Sequence, residues 1–157
     1  MSNKNKEKRK VFLIFAVLGC FFSFFQPTCG AFTRVTGSGD GCPDWPTCFG
    51  SWVPPLNDIN AIIEWSHRTS GTLFGLVSIS VLIFSFLIYK KFNNITIIYT
   101  FALILIIIVG GIGGLVVLSD LDPAIRTLHL TGALIIAALM TTGISLETIN
   151  PESNFGN

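Results

Sequence analysis

Charge is scarce in this sequence. Asp, Glu, Lys and Arg make up 12% of the 157 residues, about half the share of an ordinary soluble domain. With 50% hydrophobic residues and a mean hydropathy of +0.66, that excludes a water-soluble globular fold. Beyond the first ten residues the cations form no patch, so nucleic acid is not an expected partner. Apolar and polar residues do not alternate with period two, which argues against a membrane β-barrel. Histidine occurs twice and cysteine four times. No cysteines stand in CxxC spacing and no histidine lies in the long polar loop. A thiol oxidase with a second cysteine pair and a zinc site are both disfavoured on that ground.

What is present is four long apolar runs, at about 11–32, 61–89, 95–118 and 124–146. A spanning helix needs roughly 20 apolar residues, and in lipid every backbone polar group has to be satisfied internally. The expected fold is therefore all-α: one four-transmembrane-helix bundle over 1–157, with an outer loop at about 33–60. The basic stretch Lys4, Lys6, Lys8, Arg9 and Lys10 could open a signal peptide ending near Cys20. The apolar run continues through Phe21–Phe25, however, and favours an uncleaved first helix, which Pro27 would kink. That stretch and Lys90-Lys91 carry seven of the ten basic residues. The positive-inside rule then expects both termini and the 90–91 hinge in the cytoplasm, and the 33–60 loop on the outer face of the plasma membrane. Glu147 to Asn157 reads as a short polar tail.

Chemistry-bearing residues gather at the outer boundary. Glu64-Trp65-Ser66-His67-Arg68 opens the second run, and His129 lies just inside the fourth. At 1.5 Å per residue both imidazoles sit roughly 8 Å below the boundary. Two imidazoles at one depth on different helices are a candidate axial pair for a haem iron, the alternative for each being a helix-to-helix hydrogen bond. Arg34, Arg68 and Arg126 lie at the same boundary. They are candidate contacts for haem propionates, or they snorkel to lipid headgroups. Glu64 shares a helix face with His67. It is either an acid or base whose properties burial tunes or an interfacial carboxylate bonded to Arg68 or water. Cys42 and Cys48 could form a disulfide, act as redox thiols, or stay free. Gly110-Gly111-Ile112-Gly113-Gly114 in the third run suits close helix packing or room for a flat macrocycle.

The segments Thr33-Arg34-Val35-Thr36-Gly37-Ser38-Gly39, Cys42-Pro43-Asp44-Trp45-Pro46-Thr47-Cys48, Glu64-Trp65-Ser66-His67-Arg68, Gly110–Leu118 and Leu128-His129-Leu130 together resemble the haem A synthase family. The resemblance implies a membrane oxidoreductase that converts the C8 methyl of haem O, its substrate, to a formyl group, with haem b as cofactor, to supply terminal oxidases. It further implies that His67 and His129 ligate haem iron, that Glu64 is catalytic, and that Cys42 and Cys48 form a disulfide or take redox input. Typical members have eight helices in two halves, each half with a histidine pair. A single half implies a homodimer or higher homo-oligomer, or a heteromer, in membrane lipid. Haem O synthase and a terminal oxidase are the further partners implied. The alternative reading is a non-enzymatic bis-histidine cytochrome or haem carrier.

Overall fold

The computed structural model describes residues 3–89 and 93–149. Four helices fill almost all of it: α1 (Asn3–Val35), α2 (Ile59–Tyr89), α3 (Asn94–Leu118) and α4 (Pro123–Ile149). Each is long and apolar enough to cross a membrane. Among the described residues there is no strand, only an isolated bridge between Cys48 and Ser51. α1 packs on α2 and α4, and α3 packs on α2 and α4, so α2 and α4 face each other across the bundle. The short 119–122 connection makes α3 and α4 antiparallel, while the long 36–58 loop joins α1 to α2. Asn93 caps α3 by accepting the Thr96 amide, and Asp122 accepts the amides of Ala124 and Ile125 at the start of α4.

The helices run further than hydropathy alone indicates. α1 begins at Asn3, so the basic stretch is helix rather than a loose tail. Lys and Arg are good helix formers, and Arg9 has a partner: its Nε donates to Glu147 Oε1 at 2.6 Å. Pro27 lies within α1. α4 continues to Ile149, and Glu147, expected to begin a polar tail, is fully buried. It also accepts a short hydrogen bond from the Tyr89 hydroxyl. Lys90 and Lys91, and residues 150–157 of the expected tail, lie outside the described residues.

The apolar core is uneven along the bundle, and that positions the site. One buried cluster holds Phe12, Ala16, Phe74, Val81, Ile95, Tyr99, Val109, Ile136 and Met140. It fills the half that contains the start of α1. A second, small cluster of Cys42, Cys48 and Ala61, flanked by Trp65, lies under the 36–58 loop at the other end. Between the two clusters fall His67 and His129.

Candidate functional site

α2 carries Glu64, His67 and Arg68 within its first three turns. His67 is the ninth residue of α2 and His129 the seventh of α4, which places them about 12 Å and about 9 Å along their helices from the same end of the bundle. His129 Nδ1 lies 3.0 Å from the Val109 carbonyl of α3. A carbonyl only accepts, so Nδ1 must carry the proton, which leaves Nε2 with a free lone pair. That is the tautomer a metal-ligating imidazole adopts when its other nitrogen is anchored. His67 Nδ1 is buried with no hydrogen-bond partner among the described residues. An orphaned buried nitrogen is costly in a packed interior and is accounted for if the ring serves a ligand.

Glycines make room for both rings. A Cβ on Gly113 would stand 3.0 Å from His129 Cε1, and one on Gly30 would stand 3.3 Å from His67 Cε1. The glycine run of α3 thus divides by function. Gly113 receives His129 and Gly114 receives the Trp45 ring, whereas Gly110 and Gly111 face open space within this chain. Close helix packing within the chain therefore does not account for Gly110 and Gly111, where an added Cβ would meet nothing within 4 Å. Next to His67, Gln26 of α1 forms a link that hydropathy does not reveal. Its amide donates to the His67 carbonyl and its Oε1 accepts from the Ser70 hydroxyl.

Glu64 is buried, 4% exposed, and both carboxylate oxygens are engaged. Oε2 accepts the Cys42 backbone amide at 2.8 Å, and Oε1 accepts Arg68 Nε at 3.1 Å and also Arg68 Nη2. Arg68 also donates from Nη1 to the carbonyls of Asp44 and Thr47, at 2.7 and 2.8 Å, and from Nη2 to that of Cys42, at 2.9 Å. A guanidinium has five N–H donors, and all are used here, so none is left for a second anion in this conformation. Arg34 is exposed on the last turn of α1 and Arg126 half-buried on the first turns of α4, at the same end of the bundle as the histidines.

The loop that Arg68 grips is closed by a Cys42–Cys48 disulfide, with both sulfur-bearing residues essentially inaccessible. Asp44 organises the turn within it, accepting the Thr47 hydroxyl and the amides of Phe49 and Gly50. Those bonds, the Thr47 hydroxyl first, hold the Asp44 carboxyl below its ordinary range. Trp65 Nε1 donates to the Trp52 carbonyl and secures the rest of the loop on α2. Cys20 and Cys29 are free.

The sequence that builds this site matches a known family. Residues 13–154 fit the family model described as cytochrome oxidase assembly protein. The chain belongs to that family. Among curated members, it is similar to the haem A synthase of Alkalihalophilus pseudofirmus, 32% identical over 144 residues, which is 91% of this chain and 46% of that protein. It is likewise similar to the haem A synthase of Halalkalibacterium halodurans, 30% identical over 94% of this chain and 48% of the relative, and to that of an Exiguobacterium species, 35% identical over 64% and 34%. The chain therefore spans about half the length, or less, of the curated relatives it matches. No solved structure matches it.

Proposed function

We propose that this chain is a half-size haem A synthase unit that oxidises the C8 methyl of haem O to a formyl group and so makes haem A for a terminal oxidase. The observation that carries the reading is the histidine pair: two imidazoles at matched depth on facing helices, His129 with Nε2 left as a lone pair and His67 with an orphaned ring nitrogen. The Gly30 and Gly113 positions, where a Cβ would crowd the rings, fit the same group. His67 and His129 would hold haem iron, and haem b, when bound, would supply one-electron chemistry. Arg34 and Arg126 would meet the propionates. Arg68, with its donors already taken, would act on the loop instead.

Glu64 would be the carboxylate nearest the reacting methyl, moving a proton or stabilising positive charge that develops on the carbon. Its present partners, Arg68 and the Cys42 amide, bond both carboxylate oxygens and fix its orientation. Burial of the pair under the loop keeps bulk water away from it. The unit would sit in the plasma membrane with both termini in the cytoplasm and the disulfide loop outside, in keeping with the concentration of basic residues near the start of α1. A second copy would supply the second histidine pair, and haem O synthase and the oxidase would stand before and after it in haem delivery.

A haem carrier is the competing reading, and one observation favours it: all five Arg68 donors are committed, and both Glu64 oxygens already accept from Arg68 or the Cys42 amide. Co-expression with a source of haem O, followed by haem extraction and mass analysis, separates the two. Haem A in the extract is expected, and Glu64→Ala is expected to keep bound haem while haem A falls at least about a hundredfold, the usual scale for loss of a general acid or base. Haem recovered with its side chains unchanged would leave only the carrier.

A further inference from the structure

Arg68 does more than pair with the residue one turn before it. An i,i+4 ion pair on a solvated helix surface is a weak device, worth a few tenths of a kcal/mol, but this pair is largely buried. Here three of the five guanidinium donors go to backbone carbonyls of residues 42, 44 and 47. Those carbonyls converge because the loop is bent back on itself, by the disulfide at its base and by the Asp44 turn. The same loop touches α2 through Cys42, whose amide reaches Glu64 and whose sulfur lies 3.7 Å from the Ala61 carbonyl. It touches α3 through Trp45, whose ring covers Gly114, next to the glycine that receives His129. Loop, α2 and α3 are thus closed on one another at the end of the bundle that holds both histidines, and Arg68 is the residue that bonds the loop at the most points.

We propose that Arg68 is a positioning residue: it latches the disulfide loop over the histidine end of the bundle, shields the Cys42–Cys48 bond, and holds Glu64 in the orientation that the Cys42 amide completes. The part that concerns Glu64 rests on the function proposed above, while the latch itself does not. Lysine cannot reproduce it. An ammonium has three donors on one atom and no planar fork, so it can keep the charge beside Glu64 but not span three carbonyls and a carboxylate.

The test uses the full chain in lipid nanodiscs. Free thiols are blocked with a light alkylating reagent. The Cys42–Cys48 bond is then opened with a water-soluble phosphine, which is oxidised to the phosphine oxide with water supplying the oxygen as the disulfide becomes two thiols. The new thiols are trapped with a heavy reagent and counted by mass. Arg68→Gln is expected to open roughly tenfold faster or more, since several charge-assisted hydrogen bonds are lost, with Arg68→Lys in between and the helical signal and melting temperature of the bundle held. Glu64→Gln leaves Arg68 its carbonyl partners and is expected to stay near the parent rate. An Arg68→Gln rate equal to the parent's overturns the latch. So does Glu64→Gln opening as fast as Arg68→Gln, because the ion pair and not the carbonyl grip would then be responsible. If Arg68→Gln lowers the melting temperature in step with the opening rate and Arg68→Lys behaves identically, Arg68 is structural only and the proposal fails. Haem A yield, measured separately, is expected to fall in Arg68→Gln with the bound-haem absorption unchanged. If no chain makes haem A while the phosphine result stands, the functional reading fails and the latch survives.

Discussion

A single hydrogen bond decides what His129 can do. By donating Nδ1–H to the Val109 carbonyl, the ring turns its other nitrogen into a lone-pair donor, and Gly113 is the residue that allows the approach. Gly113→Ala tests this at the smallest scale. The added Cβ would stand 3.0 Å from the ring and push it off its anchor, while helix propensity improves by about 1 kcal/mol. The expected outcome is a melting temperature unchanged or raised, with haem affinity in a spectral titration reduced about tenfold or more. Gly110→Ala, which meets nothing within 4 Å, is expected to leave haem binding alone. A shared loss of affinity would show that general packing, and not room for His129, is what the glycines provide. The sequence makes His67, His129 and the i,i+4 spacing of Glu64 and Arg68 plain. It cannot tell Gly113 from Gly110, because their difference lies in which face α3 turns to α4. Nor can it show that Arg68 reaches carbonyls 21 to 26 residues away, because a backbone acceptor leaves no mark on residue type.

At the scale of helices, the end of the bundle away from the histidines is held by an ion pair between the two outermost elements. Glu147 of α4, with 0% side-chain exposure, meets Arg9 of α1, with 26%, and the Tyr89 hydroxyl of α2. Removing one partner leaves the other charge buried without compensation, whereas an apolar pair of similar size is often tolerated. Arg9→Met, which strands the buried Glu147 carboxylate, is therefore expected to lower stability by roughly 2–4 kcal/mol, and Arg9→Met with Glu147→Met to recover most of it, measured as thermal unfolding in detergent. Equal losses in the single and double variants would mean that the pair contributes through packing alone. Hydropathy reads all four helices correctly but stops α1 and α4 short at this end. Arg9 and Glu147 look like polar flanks until the fold brings them together across 138 residues.

For the whole molecule, the pattern is a bundle packed with apolar side chains at one end and left to histidines, glycines and a latched loop at the other. Membrane helices gain little from burying apolar surface against each other, so packing and polar contacts decide how they assemble. Among the described residues, the ion pairs fall at the two ends. The chain matches about half of its relatives' length. The measurement that bears most directly on the account is the mass of the haem extracted from the full chain after co-expression with a haem O source, alongside Glu64→Ala. The account predicts haem A from the parent chain and bound but unoxidised haem from the variant. Haem A at the same level from both, or from neither, would contradict it.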